Sequence, residues 1–274
     1  MSNLDLNGNS LTFSTARDVG ICPECPVTNS LVILPTYNEL HNLPLLIPRI
    51  LDVDTGVDVL IVDDNSPDGT GILADEFASK QNRVKVLHRY RKLGLGTAYV
   101  TGFRYALARG YDRVVEMDAD LSHRPEDLRS LLDASADADV VIGSRNVPGG
   151  STVGWSPIRK LVSRGGSFYA EWLLRLPIAD CTGGFKCFRR SALARLDLEH
   201  VLSNGYAFQV EVNYACHKAG LTFLEVPITF PERVAGRSKM SPAIAIEAAA
   251  LVLRLRLGMA HPAVLPRRDP QKAS

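Results

Sequence analysis

Several features that would settle the class of this chain at once are missing from it. Cysteine is scarce: five among 274 residues, at irregular spacing. That excludes the disulfide framework of a small secreted domain and points to a reducing cytosol. Cys22 and Cys25 in "CPEC" have zinc or redox spacing, but Cys181, Cys187 and Cys216 add no second pair of that kind and no histidine at a finger-like distance, so a structural metal site is not supported. No stretch reaches the roughly 18 apolar residues of a membrane-crossing helix; the nearest, Ala243 to Ala260, is interrupted by Glu247, Arg254 and Arg256. Neither sign of charge dominates, with 31 Lys and Arg against 30 Asp and Glu, so nothing argues for nucleic acid, and an anionic partner at a local patch stays open. The chain opens without a basic segment followed by an apolar run, so residues 1–29 read as a polar, flexible leader and not as a signal peptide. There is no GxGxxG between a strand and a helix and no GxxxxGK[ST], which removes the dinucleotide fingerprint and the P-loop.

What is present is an alternation of short β-rich runs and helical patterns, the signature of βαβ units and a mostly parallel sheet. The expected strands are Leu31–Leu34, Val57–Val62, Val84–His88, Arg113–Met117 and Val140–Gly143, with helices over His41–Leu51, Thr70–Lys80, Gly96–Arg109 and Pro125–Ala134 between them. Further on come a helix over Pro157–Leu176, a strand or loop near Gly184–Phe188, a helix over Ala207–Ala219 and an apolar strand Thr222–Phe230. The length suits one large α/β domain over residues 30–240, followed at 241–274 by an amphipathic helix and a basic tail.

In open α/β sheets, ligands bind beyond the carboxyl ends of the strands. The polar motifs fall at that address: "PTYNE" after the first strand, "DDNSPDGT" after the second, "DAD" after the fourth and "GSR" after the fifth. Asp118 and Asp120 are hard oxygen donors of the kind that Mg²⁺ or Mn²⁺ takes together with phosphate oxygens and water, or else loop aspartates that cap the next helix. Asp63 and Asp64 exceed what a strand end and a cap require, and a carboxylate there suits a nucleobase or ribose. Arg145, Arg159, Arg233 and Lys239 are candidate phosphate ligands, the last two flanking a Gly and Ser loop that reads as a mobile flap. No Ser/His/Asp series supports nucleophilic catalysis, and His123 reads as a local turn or cap residue.

Taken in order, "LPTYNE", "VDDNSPDGT", "KLGLGTAY", "MDADLSHRPE", "GSR", "TGGFKCF", "GYAFQVE" and "PITFPERVAGRSKM" resemble the dolichol-phosphate and polyprenol-phosphate mannose synthases, inverting glycosyltransferases of family 2 with a GT-A fold. The resemblance covers about Leu31 to Met240. It implies a Rossmann-like, mostly parallel central sheet flanked by helices. It implies that Pro35, Tyr37, Glu39, Val62 and Asp64 hold the nucleotide, that Asp118, Ala119 and Asp120 bind metal and diphosphate, and that Arg233 and Lys239 complete the donor site. Arg145 and Arg159 would receive the acceptor phosphate, while Gln209 and Glu211 match the acceptor-side element, with Glu211 orienting sugar or acceptor. Asp118, Asp120, Arg145 and Glu211 are thereby the expected catalytic group. Ser122 stands where some members carry Gln, and Asn146 where "GSRY" is common.

The implied reaction moves mannose from GDP-mannose to a polyprenyl phosphate with inversion, using Mg²⁺ or Mn²⁺. The alternatives are a glucosyltransferase using UDP-glucose and a non-catalytic subunit of the same fold. The implied setting is the cytoplasmic face of a membrane, reached by peripheral contact through the C-terminal helix. A separate membrane partner subunit fits too, since members differ in whether membrane helices follow the catalytic domain.

Overall fold

The computed structural model describes residues 30–201, 203, 205–232, 242–260 and 264–265. The leader with Cys22 and Cys25, the flap residues Arg233 and Lys239, and the tail after Leu265 lie outside the described residues. The first half alternates as expected: β1 (Ser30–Thr36), α1 (Leu43–Leu51), β2 (Val57–Asp63), α2 (Thr70–Lys80), β3 (Val84–His88), α3 (Leu95–Arg109), β4 (Arg113–Glu116), α4 (Pro125–Ala134) and β5 (Val140–Ser144). The second half adds β6 (Ser151–Thr152), α5 (Pro157–Leu174), β7 (Lys186–Arg189), α6 (Arg190–Leu193), α7 (Gly205–Lys218), β8 (Phe223–Pro227), β9 (Thr229–Phe230) and α8 (Pro242–Arg256).

The main sheet runs β3-β2-β1-β4-β7-β5-β8. Every neighbouring pair is parallel except the two made by β7, which is antiparallel to β4 and to β5. Side chains alternate across the pleat, so β1 and β2 feed two cores. Leu31, Ile33, Leu60 and Val62 face the layer of α3, α5, α7 and α8. Val32, Leu34, Val59 and Ile61 face α1 and α4. Burial on both faces is why these strands read as continuous apolar runs. Gly102 lets α3 lie close on β1: a Cβ there would sit 2.6 Å from the Ile33 side chain.

The chain leaves β1 toward β2 and β3, then returns to place β4 on the other side of β1. That reversal makes a crevice at the carboxyl ends of β1 and β4, where α/β sheets bind ligands. It gathers "PTYNE" and "DAD".

Three differences from the sequence expectations have local causes. The single strand expected over 222–230 is two, because Pro227 lacks an amide donor; β8 ends there and β9 pairs with β6 in a separate small sheet. The helix expected to reach Leu176 ends at Leu174, since Arg175 takes the left-handed conformation with φ 55°. The short β6 and α6 have too few residues to carry a periodic signal.

Candidate functional site

The "DAD" segment leaves β4 through a hydrogen bond from Met117 N to Ile33 O at 3.2 Å. It reverses at Leu121, whose φ is 62°. Asp118 is held from two directions. The buried Tyr99 hydroxyl donates to Asp118 Oδ1 at 2.9 Å, and the Asp118 amide donates to His123 Nδ1 at 2.9 Å. An accepting Nδ1 leaves the His123 proton on Nε2. The ring is fixed between Phe185, stacked at 5.0 Å, and Phe230, edge-on at 5.3 Å. The expectation of a turn residue at His123 therefore holds, with a purpose attached: it shapes the backbone under Asp118. Asp120 Oδ1 accepts from Ser122 N at 3.1 Å and Ser122 Oγ at 2.5 Å. Ala119 is buried at 3% exposure, so only its backbone faces the crevice.

A buried polar cluster lies beneath this segment. Glu116 and Lys186 are cross-strand neighbours of β4 and β7, and both are fully buried. Burial pushes the Glu116 carboxyl up to about 7 against the pull of Lys186 and the Gln209 amide. Burial likewise pulls the Lys186 ammonium down, opposed by Glu116. Lys186 Nζ donates to Gln209 O at 3.3 Å and to Gln209 Oε1. Neither Glu116 oxygen, nor Gln209 Nε2, makes a well-aligned hydrogen bond among the described residues, although the Gln209 amide lies near enough to bear on the carboxyl. A Cβ on Gly184 would meet Gln209 Nε2 at 3.3 Å and Asp118 Oδ2 at 3.8 Å. Gly184 of "TGGF" thus leaves the gap in which the Gln209 amide and the Asp118 carboxylate come near each other. Sequence reasoning missed Tyr99, Lys186 and Glu116. The available signal was a charged residue inside each of two apolar runs, "VVEM" and "GFKCF", which only a partner makes tolerable.

On the nucleotide side, Pro35 and Tyr37 are partly exposed at the end of β1, and Lys92 Nζ lies 3.8 Å above the Tyr37 ring. Glu39 accepts from Asn42 Nδ2 at 2.6 Å, and its amide donates to Thr70 Oγ1 at 2.9 Å. Two of the residues expected there are engaged within the chain. The Val62 side chain is wholly inside the core. The Asp64 carboxylate is taken up by the Arg89 guanidinium and by the amides of Leu93 and Gly94, each at 3.1 Å. Asp64 therefore fastens the loop that carries Lys92, and Asp63 similarly accepts from Thr36 and Ser66.

The residues expected on the acceptor side are likewise held by contacts within the chain. Arg145 makes a forked pair with Asp180, Nε to Oδ2 at 2.7 Å and Nη2 to Oδ1 at 2.6 Å, and also reaches Thr182 Oγ1 at 3.0 Å. It lies beside the rings of Phe230 and Trp155. Burial pushes the Asp180 carboxyl up, but the Arg145 charge and hydrogen bonds outweigh it and hold the group below the usual carboxylate range. Arg145 thus braces the wall of the site with its fork turned inward. Arg159 stacks on Trp155 at 3.9 Å, lies 3.5 Å from Glu232 and keeps 26% of its side chain exposed. Glu211 is buried and accepts from Ser203 N at 3.0 Å, so it anchors the loop before α7. Cys181, Cys187 and Cys216 are buried, and burial lifts each thiol to about 12. They are not nucleophiles near neutral pH.

Residues 31–197 match the family described as glycosyl transferase family 2. The undecaprenyl-phosphate mannosyltransferase of Micrococcus luteus is 50% identical over 224 residues, covering 82% of this chain and 92% of that protein. The polyprenol monophosphomannose synthase of Mycolicibacterium smegmatis is 50% identical over 218 residues, covering 79% and 82%. Among solved structures, glucosyl-3-phosphoglycerate synthase from Mycobacterium tuberculosis superposes with a TM-score of 0.62 at 20% identity, over 84% of this chain and 80% of that one. A mannosyltransferase from Pyrobaculum calidifontis in complex with GDP-Man and Mn²⁺ gives 0.52 at 17% identity, over 85% and 76%. These distant likenesses identify the GT-A architecture. Half of all aligned positions shared along almost the whole of the two nearer relatives says more: the chain belongs to glycosyl transferase family 2 and, within it, to the polyprenyl-phosphate mannose synthases.

Proposed function

We propose that the protein transfers mannose from GDP-mannose to the phosphate of a polyprenyl phosphate. The observation that carries this reading is the pair Asp118 and Asp120, held by Tyr99 and Ser122 at the mouth of the crevice between β1 and β4, in a chain half identical to two enzymes of that name. The two carboxylates are a hard-oxygen set suited to Mg²⁺ or Mn²⁺ completed by diphosphate and water. They are the residues that would hold the cation, which when bound supplies Lewis-acid neutralisation of the diphosphate.

The phosphate acceptor is already anionic near neutral pH, so the reaction needs no general base. A phosphate oxygen bonds to the anomeric carbon as the carbon–oxygen bond to the diphosphate breaks, and GDP leaves with the electron pair. Attack from the opposite face inverts the configuration. The work left to the protein is positioning and charge placement. Tyr37 and Glu39 border the nucleotide side, Arg159 is the exposed cation for the acceptor phosphate, and Arg145 braces the wall behind it. Gln209, pinned by Lys186, faces the donor from the acceptor side, and Glu211, two residues on along α7, fastens the loop at Ser203 beside it. Arg233 and Lys239 complete the diphosphate site in this reading.

No helix among the described residues is long and apolar enough to cross a membrane. Peripheral binding at the cytoplasmic face supplies the lipid. The test offers GDP-mannose and UDP-glucose in competition with polyprenyl phosphate, and the expected product carries mannose. Asp120→Asn is expected to cost about 100- to 1,000-fold in turnover, the usual loss on removing one preorganised charge-stabilising group, with the melting temperature little changed. Glucose transfer in the competition, or near-normal turnover by the folded variant, overturns the reading.

A further inference from the structure

α5 is apolar on two sides. Its inner side buries Ser167, Ala170 and Leu174 in the core. Its outer side shows Ile158, Leu161, Val162, Phe168 and Trp172 to solvent, at exposures from 50% to 75%. At about 100° per residue, those five and Gly165 fall within an arc of roughly 120°. Lys160 and Arg164 lie on one flank of the arc and Arg159 on the other, and Arg175 stands exposed just past the end of the helix. α8 packs alongside, with Tyr169 Oη donating to Ala249 O at 3.3 Å and with Val252 and Leu255 buried. It too turns large apolar groups outward, Ile246, Leu253 and, just past its end, Leu257, beside Arg254 and Arg256. Nine of the 15 exposed large apolar side chains among the described residues lie on these two helices and the turn after α8. Scattered exposure needs no cause, but such a concentration does.

We propose that the outer face of α5, with α8 beside it, is the surface by which the protein lies on an anionic bilayer. Apolar residues with Trp and Phe on one face, bounded by Lys and Arg, are what an interfacial helix requires. The charge also decides between occupants. Four cations, against Glu171 and the Glu232 carboxylate beside Arg159, border the α5 stripe, so a second copy docked on this face would bring like charges together, whereas lipid phosphates complement them. Position agrees. Trp155, which carries Arg159, immediately precedes the Ser156 cap of α5, and Ser167 Oγ lies 3.4 Å from the hydroxyl of Thr182 that Arg145 holds. A helix lying in the headgroup layer would present a lipid phosphate to that same wall. The inference rests on the lipid-acceptor reading above, and it moves the membrane contact from the C-terminal helix alone to α5.

The test is co-sedimentation of the full chain with vesicles of phosphatidylcholine alone or containing phosphatidylglycerol, at low and high salt. Wild type is expected to favour the anionic vesicles and to lose that preference at high salt. Phe168→Ser with Trp172→Ser should lower partitioning at least tenfold, Lys160→Glu with Arg164→Glu should abolish the anionic preference, and Ile72→Ser, an exposed apolar site on α2, should change nothing. Melting curves establish that each variant is folded. Transfer to a short-chain, water-soluble polyprenyl phosphate without vesicles should survive the Phe168 and Trp172 substitutions. Vesicle binding is scored without sugar transfer, so a wrong donor or acceptor leaves this readout standing. Undiminished binding by the folded Phe168 and Trp172 variant, or a wild-type dimer that those substitutions dissociate, overturns the proposal.

Discussion

Glu116 and Lys186 form the most exposed energetic liability of the protein, although neither touches solvent. Taking two charges out of water costs several kcal/mol each, and mutual attraction offsets this only while both partners are present. Lys186→Met is therefore expected to destabilise by about 3–5 kcal/mol, since it leaves Glu116 buried without its cation. Lys186→Met combined with Glu116→Gln should recover much of that loss in urea denaturation. Turnover should not recover with it, because Gln209 Oε1 has lost the ammonium that orients it; if the double variant regains full activity, Lys186 serves folding alone. Asp118 and Asp120 stand out in the sequence as a pair because their motif is local and its place after an apolar strand needs no topology. Glu116 and Lys186 do not, being 70 positions apart and joined only by the antiparallel register of β4 with β7. The ion pairs of Arg145 and Asp64 were not legible, because a sequence shows a guanidinium or carboxylate without showing the Asp180 or Arg89 that meets it.

β1 and α3 show how tightly the crevice depends on helix placement. The start of α3 carries Thr97, which Arg89 holds, and Tyr99, which holds Asp118; Gly102, one turn on, sets how near the helix lies to the sheet. A methyl group at Gly102 would stand 2.6 Å from Ile33, and forcing an extra carbon into a packed core costs about 1–3 kcal/mol. Gly102→Ala is expected to lose that much stability by denaturant titration. Activity should fall further than stability explains, because a shifted α3 carries Tyr99 away from Asp118; unchanged activity in a destabilised Gly102→Ala would separate the two. Strands buried on both faces announced themselves as apolar runs, so β1 to β5 were placed from the sequence to within a residue or two. The reversal of β7 could not be placed so, since parallel and antiparallel strands buried in mid-sheet share one composition.

Across the whole molecule, the body of the sheet and the crevice at its carboxyl end are held by different forces. Away from the crevice, the sheet is clamped between two apolar layers. At the crevice, by contrast, hydroxyls and amides hold two carboxylates of one short segment, Asp118 and Asp120, like charges that a bound cation would neutralise. Ligand that binds only the folded state adds RT ln(1 + [L]/Kd), about 2.7 kcal/mol at a hundredfold excess over Kd. For a chain of this size that corresponds to a rise of roughly 5–10 °C in melting temperature. GDP-mannose with Mn²⁺ is expected to give such a rise, and GDP-mannose with a chelator only a small part of it. Asp120→Asn should erase the metal-dependent increment while keeping the unliganded melting temperature at or slightly above wild type, since one of two like charges is gone. The sign of that last term discriminates: if Asp120 were a structural cap for the Ser122 turn, removing its charge would lower the unliganded melting temperature, and the donor-dependent increment would be untouched.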